Sequence, residues 1–427
     1  MGMPFSTPIW LAPQSSKRPA TPIEVNEEVD LVIVGAGFQG LSAAFHAVAL
    51  GLKVRVIEAA QVGSGASGLN GGQVIPGLKY DPEWLLAHFG PERGEALARF
   101  AASTADAVFD LIDHHQLDVP RKRNGWIQAA HTQTASEMQA ERHRQWVERG
   151  ADVALLDARQ IAEMTGTSGY VGGWLDRRAG IINPLAFVLE LARLASDAGA
   201  RIAENERVSG LRHETGLWVV STQSGKAVRA KSVLVATNAY SDGLVPGLRQ
   251  SLVPLHSFQI ATAPLTAAQD AAILPGGHAI SDSRRILVYY RKTADGRLAM
   301  GGRGRLGLPR SADDWAHIER AMRRVFPALE DTPIERRWYG RVAMTMNHLP
   351  HIHEPEPGLL MAAGCQGRGV GLMTALGPYL AHYVTTGDPA ALPFPITPIR
   401  PIPFHAFRQI GVSAAIAWYR LLDSLER

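Results

Sequence analysis

The chain has 427 residues, 46% hydrophobic and 19% charged, a balance typical of a globular protein with a large buried core. Its net charge of +3 is too small to indicate a nucleic-acid-binding protein, and a single cysteine, Cys365, excludes an intrachain disulfide and a cysteine-rich metal site. Residues 1–27 are predicted to be a surface or partly disordered extension, not a targeting segment. With no apolar run of about 18 residues, a cytoplasmic protein without membrane contact is expected.

The first strong pattern is a β-α-β unit. Asp30–Val34 is a β-branched apolar run typical of a buried strand, and it leads into the glycine-rich turn Gly35–Gly40. An alanine-rich helix is predicted over Leu41–Leu50, followed by a second strand, Lys53–Ile57, that ends at Glu58.

Each part of this unit suits a dinucleotide. Gly35 permits the tight turn, Gly37 lets the backbone approach a pyrophosphate, and Gly40 allows the helix to pack closely on the strand. The helix N-terminus offers amides to the diphosphate, and Glu58 is placed to bind ribose hydroxyls. A chance glycine-rich turn would not place all these elements in register. The Glu58 carboxylate disfavours a 2′-phosphate on the ribose, so FAD or NAD is preferred over NADP.

A loop of small residues, Gly63–Gln73, follows the second strand. Its low bulk and many amides suit contact with a phosphate and then with a flat ring system. The alternative is a flexible surface linker, but a linker seldom stands directly behind a ribose-binding acid.

Farther along the chain, periodicity predicts helices over Pro91–His115, Thr134–Arg149, Ala186–Ala198 and 406–426. The predicted strands are Arg207–His213, Leu217–Thr222, Ala227–Ala230, Ser232–Ala236, Leu255–Thr262, Arg285–Tyr290, Arg297–Met300 and Leu359–Ala363.

The stretch Val32–Gln73 resembles the D-amino-acid oxidase/glycine oxidase superfamily of FAD enzymes, and its GASGLNGGQ run resembles the γ-glutamylputrescine oxidoreductase-like branch. Further similarity lies in Ala236–Tyr240, Tyr290-Arg291, Gly301-Gly302-Arg303, Gly364–Gly371 and Pro403–Leu425.

The resemblance implies an α/β fold in which a Rossmann-type FAD-binding domain is interleaved with an α+β substrate domain on a largely antiparallel sheet. Expected boundaries are 28–90, 155–253 and 330–427 for the FAD-binding domain, and 91–154 and 254–329 for the substrate domain. FAD is expected to be noncovalent, because 338–343 lacks the cysteine that holds the flavin in some relatives. The residues implied to contact FAD are Gly35, Gly37, Phe38, Gln39, Gly40, Glu58, Ala59, Ser64, Ala66, Ser67, Asn70, Gly71, Gly72, Gln73, Val208, Thr237, Asn238, Gly364, Gly367, Arg368, Gly369 and Val370.

Members of this family remove a hydride from the carbon beside an amine nitrogen, which requires no strong side-chain base. Arg368 stands where the family usually has histidine, and its guanidinium is predicted either to anchor a substrate carboxylate or to modulate the flavin. The lysine and arginine that anchor the carboxylate in sarcosine-oxidase-like relatives are replaced by Gly371 and by 73–75. The predicted catalytic residues are Arg368, Tyr290, Arg291 and His256, with Arg303, Arg305 and Arg341 as further candidate anchors.

No metal site is predicted. His348, His351 and His353 lie close together, but no carboxylate or cysteine completes a ligand set. Cys365 is expected to be a small buried hydrophobe.

The predicted reaction is oxidation of a small anionic secondary amine, an N-substituted glycine or an iminodiacetate-like compound, with O2 reduced to H2O2. Two alternatives stay within the family: a γ-glutamylputrescine-type polyamine oxidase, and an amine or amino-acid dehydrogenase that uses a quinone or protein acceptor. A third alternative is a flavin- or NAD-binding protein with a regulatory or structural role. The expected partners are a small amine and O2, and the oligomeric state is left open.

Overall fold

A computed structural model describes residues 7–16, 18, 21–305 and 307–425. The α-helices of the described chain are α1 Phe38–Ala49, α2 Ala66–Leu69, α3 Pro82–Phe89, α4 Pro91–Ser103, α5 Asp106–His114, α6 Gln133–Val147, α7 Ala158–Thr165, α8 Pro184–Ala198, α9 Ala267–Ala272, α10 Ala316–Val325, α11 Gly369–Thr386 and α12 Arg408–Leu425.

The strands are β1 Glu27–Val34, β2 Val54–Ile57, β3 Gln73–Val74, β4 Arg121–Lys122, β5 Trp126–Ala130, β6 Val153–Asp157, β7 Gly172–Asp176, β8 Gly180–Ile182, β9 Arg201–Ala203, β10 Val208–Glu214, β11 Leu217–Thr222, β12 Ala227–Val235, β13 Val253–Thr262, β14 Ala279–Asp282, β15 Val288–Lys292, β16 Leu298–Arg303, β17 Ile334–Met344, β18 His351–Glu356 and β19 Leu359–Ala363.

The first sheet carries the nucleotide-binding half of the molecule. Its strands run in the order β10-β11-β12-β1-β2-β9, and β19 and β18 extend it from β12. β1 is parallel to both β12 and β2, and Val32 and Ile33 within it are fully buried. A central parallel strand covered on both faces explains the unbroken apolar run. The helices α1, α8 and α11 pack together over this sheet, which confirms the Rossmann-type architecture.

The second sheet has the order β17-β13-β16-β15-β14-β5-β7-β6 and is antiparallel except for the β14–β5 pair. Phe258, Tyr290 and Met300 point to one face, where they pack with Trp315 and with Met322 of α10. The opposite face turns toward the nucleotide-binding half. A small third sheet, β3-β8-β4, lies between them. The predicted substrate domain with a largely antiparallel sheet is confirmed.

The strand pairing can be compared with the expected domain boundaries, which stay a prediction. Residues 155–176 and 330–344 fall in segments expected to belong to the FAD-binding domain, and within them β6, β7 and β17 pair within the second sheet. Conversely, α4 and α5 were predicted in the substrate domain, but their apolar faces join the core around α1 and α11. Local periodicity reveals a strand but not its partner, so these assignments could not be read from pattern alone.

Some local predictions also change. The single helix expected over Pro91–His115 is broken at 104–105, and the strands expected over 227–230 and 232–236 form one strand, β12. The N-terminal extension is not simply a surface segment, because Trp10 and Ile23 are each only 7% exposed. Among the described helices, none is both long and apolar enough to span a lipid bilayer.

Candidate active site

The turn between β1 and α1 is built around three glycines. Gly35 has φ +106°, a left-handed conformation that favours glycine. A Cβ on Gly40 would lie 2.1 Å from the Gly35 carbonyl oxygen, so helix and turn pack together only without a side chain there. Gly37 is similarly restricted, since its Cβ would lie 2.9 Å from Ser67 Oγ. The sequence therefore folds into the narrow backbone cradle expected for a pyrophosphate.

Glu58 stands at the end of β2, beside this cradle. Its carboxylate accepts hydrogen bonds from the Ala36 amide at 2.8 Å and the Ala60 amide at 3.0 Å. These bonds hold the acid next to the first glycine turn, at the edge of the sheet where a ribose would follow the diphosphate.

The flavin loop, defined here as Gly63–Gln73, is held in place by hydrogen bonds of its own Asn70 side chain. Asn70 Nδ2 donates to the Ser67 carbonyl at 2.8 Å, and its Oδ1 accepts from the Gly72 amide at 2.8 Å. Gln259 Nε2 and Trp338 Nε1, both from the second sheet, donate to the Leu69 carbonyl at 2.7 and 2.9 Å. The loop is therefore an ordered bridge between the two halves, not a flexible linker.

The C-terminal loop, Gly364–Gly371, meets the turn after β12. The Gly364 amide donates to Asn238 Oδ1 at 3.0 Å, which joins two segments that the sequence assigned to the same cofactor. Helix α11 begins at Gly369, within this loop. Gly371 serves packing, since its Cβ would lie 2.8 Å from the Thr104 carbonyl.

The other residues predicted to bind FAD belong to the same elements. Ala59 follows β2, and Val208 begins β10. The remainder lie in the flavin loop, the turn after β12 or the C-terminal loop: Ser64, Ala66, Gly71, Gln73, Thr237, Gly367 and Val370.

The residues present fit a dinucleotide. Besides the glycine cradle, Gln39 in the first turn of α1 is 3% exposed, and its Oε1 has no hydrogen-bond partner among the described residues. A buried polar atom of this kind is expected to bond a ligand. Gly35–Gly40, Glu58 and the flavin loop would hold the nucleotide and diphosphate, and the C-terminal loop would border the ring system.

The neighbouring residues Tyr289 and Tyr290 of β15 lie on opposite faces of the second sheet. Tyr289 packs against Gly71 of the flavin loop, and its hydroxyl lies 2.7 Å from Ser257 Oγ. Tyr290, one of the four predicted catalytic residues, instead lies in the core on the other face, where its hydroxyl is 3.1 Å from that of Tyr170. Burial raises the pKa of Tyr290 well above its usual value. The alternation of a strand therefore makes Tyr289 the residue that faces the candidate site.

Arg291 shares the Tyr289 face and is 4% exposed. Its guanidinium lies against Gly72, where an added Cβ would be 2.7 Å from Nη2, and 4.6 Å above the ring of Trp10. Burial lowers the pKa of Arg291 to about 9. Arg291 is thus next to the flavin loop, as predicted for a site residue, but is covered by the N-terminal segment.

Arg368 lies in a cleft between α6 and the segment 76–81, which follows the flavin loop. It is half-buried, donates through Nη1 to the Pro76 carbonyl and lies 5.6 Å from the centre of the Trp126 ring. Burial, reinforced by the charge of Arg142, lowers the pKa of Arg368 to about 10, while Asp81 and Asp176 oppose that shift. The cleft is also lined by Gly77, Leu78, Asp81, Arg142, Trp146, Trp174 and Arg178.

His256 is placed away from Tyr289. It pairs with Arg341 across β13 and β17, on the face that carries Phe258, and its ring lies 5.7 Å from that of Tyr339. Burial, followed by the charge of Arg341, lowers the pKa of His256, so the ring is neutral at neutral pH.

The further candidate anchors are dispersed. Arg305 forms an ion pair with Asp314 at 3.3 Å, Arg341 lies over the ring of Tyr240, and Arg303 ends β16. The described residues contain no cluster of three or more potential metal ligands. Cys365 is buried, 7% exposed.

Sequence reasoning missed Trp10, Gln259, Trp338 and Arg142. The alternation of a strand predicts that one of Tyr289 and Tyr290 lines the site, but it leaves open which one. One signal was available for Tyr289. Gly301, opposite it on β16, would place a Cβ 2.2 Å from the Tyr289 ring, and a glycine within a strand often marks a large neighbour across the ladder.

The fold and the glycine cradle agree with comparison to known proteins. Residues 30–383 match the family of FAD dependent oxidoreductases known as DAO, and the chain belongs to this family. It is therefore an FAD-dependent oxidoreductase, as the resemblance implied.

Three relatives illustrate the similarity. "Probable oxidoreductase OrdL" of Haemophilus influenzae is 32% identical over 86% of this chain and 85% of its own length. Gamma-glutamylputrescine oxidoreductase of Escherichia coli is 29% identical over 94% of this chain and 95% of its own. The crystal structure of glycine oxidase from Geobacillus kaustophilus superposes with a TM-score of 0.72 at 21% identity, covering 88% of this chain and 99% of that one, which shows a shared fold.

Proposed function

We propose that this enzyme oxidises the C–N bond of a small amine that carries a carboxylate, such as an N-substituted glycine or an iminodiacetate-like secondary amine. The noncovalently bound FAD would supply the acceptor for the hydride leaving the carbon beside nitrogen. Water then splits the resulting imine into an aldehyde and an amine, and O2 is reduced to H2O2. Tyr289 and Ser257 would border the reacting end of the substrate, and Arg368 would bind its carboxylate.

The observation that supports this proposal is the charge left unpaired in the Arg368 cleft. Asp81 is bonded to Arg142 Nε at 2.8 Å, and both oxygens of Asp176 are bonded to Arg178, at 2.9 and 2.6 Å. No carboxylate among the described residues pairs with Arg368. A guanidinium presents a two-pronged donor to a carboxylate, so an anionic substrate group would complete the site.

Lys79 contributes a further positive charge near Arg368. Partial burial and the charges of Arg368 and Arg142 lower the pKa of its ammonium group. An uncharged or purely cationic amine would leave Arg368 uncompensated, so the cleft selects against such substrates.

A second candidate is a γ-glutamyl polyamine such as γ-glutamylputrescine. It is favoured by the Escherichia coli relative, which matches nearly the whole chain. A γ-glutamyl group also carries a carboxylate, at the end remote from the reacting amine, so Arg368 would bind the far end of this substrate.

The test is an anaerobic titration of the purified yellow protein, followed near 450 nm. The amines to be tested are iminodiacetate, sarcosine, glycine, D-alanine, γ-glutamylputrescine and putrescine. Bleaching by a carboxylate-bearing amine but not by putrescine supports the proposal, and bleaching by putrescine alone contradicts it.

Admission of air then separates oxidase from dehydrogenase. Rapid recovery of colour with one H2O2 per turnover indicates O2 as the acceptor. Slow recovery, combined with fast reduction of a quinone or dye, would instead support the dehydrogenase alternative.

A further inference from the structure

Arg291 is a buried cation that the function proposed above does not use. It is 4% exposed, no carboxylate among the described residues pairs with it, and its Nε lacks a hydrogen-bond acceptor there. Removing an arginine from water without a counter-charge costs several kcal/mol, so something must offset that cost. One offset is the face of Trp10, 4.6 Å from the guanidinium carbon.

The direction of the side chain indicates what else it serves. A Cβ on Gly72 would lie 2.7 Å from Arg291 Nη2 and 3.0 Å from Cζ, and one on Gly71 would lie 2.9 Å from the Tyr289 ring. The two side chains on this face of β15 therefore contact the two consecutive glycines of the flavin loop. The positive charge lies immediately against that loop, at a position where the arginine itself is 4% exposed.

We propose that Arg291 is an electrostatic positioning residue for FAD, whose charge favours the reduced, more negative form of the cofactor and so raises its midpoint potential. Poor solvation strengthens this effect, because a charge in a medium of low dielectric constant is weakly screened. The guanidinium acts through the loop backbone and needs no contact with substrate.

The N-terminal segment around Trp10 helps to hold Arg291 and the flavin loop in place. Trp10 Nε1 donates to the Asn70 carbonyl at 3.0 Å, and its ring meets that of Trp338 edge-on at 6.0 Å. The adjoining Leu11 carbonyl accepts from Asn183 Nδ2 at 2.8 Å. These bonds fix Trp10 over Arg291 and fix the flavin loop beside both. Trp10 precedes residue 30, where the family match begins, so this chain uses a segment outside that match to hold the charge.

The experiment measures the midpoint potential of the holoenzyme by equilibration with reference dyes, without any amine. For Arg291→Gln, the reduced state should weaken relative to the oxidised state at least about tenfold, which is about 30 mV for a two-electron couple. Arg291→Lys should retain most of the wild-type value. The matched control is Lys292→Gln, next on the strand and facing the other way, where the ammonium pairs with Asp270 at 2.9 Å. That control should leave the potential unchanged.

A second variant covers the case in which Arg291→Gln does not fold. Trp10→Leu leaves the guanidinium in place but admits water to screen it, so the potential should fall by a smaller amount in the same direction. A wild-type potential in Arg291→Gln would overturn the proposal, and if Arg291→Gln does not fold, a wild-type potential in Trp10→Leu would do so. Because no substrate is present, these outcomes are independent of whether the enzyme acts on carboxylate-bearing amines.

Discussion

The guanidinium of Arg291 and the ring of Trp10 stack at 4.6 Å, which joins the N-terminal segment to strand β15 of the second sheet. Trp10 Nε1 also donates a hydrogen bond to the Asn70 carbonyl. A single side chain therefore connects the N-terminal segment with both the flavin loop and the face of the second sheet that carries Tyr289 and Arg291. The stability of the cofactor site is therefore expected to depend on a residue far from the glycine cradle.

Replacement of Trp10 should reduce both stability and FAD retention. Trp10→Ala should lower the free energy of unfolding by about 3–5 kcal/mol, as for other buried tryptophans. Trp10→Phe, which mainly loses the indole hydrogen bond, should cost about 1 kcal/mol. Denaturant unfolding measures the free energy of unfolding, and the release of flavin along the same titration measures FAD retention. The neighbouring Leu11, 78% exposed, provides the control. If Trp10→Ala is as stable as Leu11→Ala, Trp10 does not fasten the loop.

Substitution of Arg368 should alter substrate preference more than folding. Loss of a charge-assisted bond is expected to lower kcat/KM for carboxylate-bearing amines roughly 10- to 100-fold in Arg368→Gln. The kcat/KM of Arg368→Lys should lie between those of the wild type and Arg368→Gln, because lysine keeps the positive charge but cannot form the two-pronged hydrogen bonds of a guanidinium. Steady-state kinetics against each amine and its amide analogue give the measurement. Arg159→Gln, at a largely exposed ion pair on α7, controls for net charge. A loss equal for acid and amide would argue against carboxylate binding.

Closing the glycine cradle should abolish FAD binding. In Gly40→Ala the new methyl group would lie 2.1 Å from the Gly35 carbonyl oxygen, which forces α1 away from β1. We expect a destabilisation of about 1–3 kcal/mol or more and a colourless protein. Absorbance at 450 nm and reconstitution with added FAD test this. Gly243→Ala serves as the control, because nothing lies within 4 Å of its Cβ position. A yellow Gly40→Ala protein with wild-type affinity would contradict the proposed cradle.

Asp282 should make stability depend on pH. Burial raises the pKa of this carboxyl to about 6, against the opposing charge of Arg284. Because the folded state holds the proton more tightly than the unfolded state, the stabilisation is present at low pH and is lost as pH rises from about 4 to 6. In Asp282→Asn this loss should disappear, so the melting temperature of the variant should rise relative to wild type between pH 4.5 and 7. A constant difference across that range would rule out the shifted pKa.

The nucleotide-binding half was the most predictable part, because its information is local. The run of Val32 and Ile33, the glycine turn and Glu58 lie within one continuous stretch, and each has a specific physical requirement. Asn238 and Gly364, each implied by the resemblance to contact FAD, are joined by a hydrogen bond.

The substrate side was less predictable, because it depends on which strands become neighbours. Alternation showed that Tyr289 and Tyr290 face opposite ways, but only the position of the sheet decides which one meets Gly71. Likewise, nothing near Trp10 in the sequence indicates Arg291 as its partner, since the contact joins distant segments.

The interleaving of the first sheet has a consequence for synthesis. β1 and β2 come from the start of the chain, β9 to β12 from its middle, and β19 is joined to β12 only after residue 359. Most of the polypeptide must therefore leave the ribosome before this sheet gains its last parallel strand. Such long-range closure slows folding and leaves the edge of β12 exposed in the nascent chain. The same topology that brings three remote segments to one cofactor thus makes the growing chain dependent on protection from aggregation until it is nearly complete.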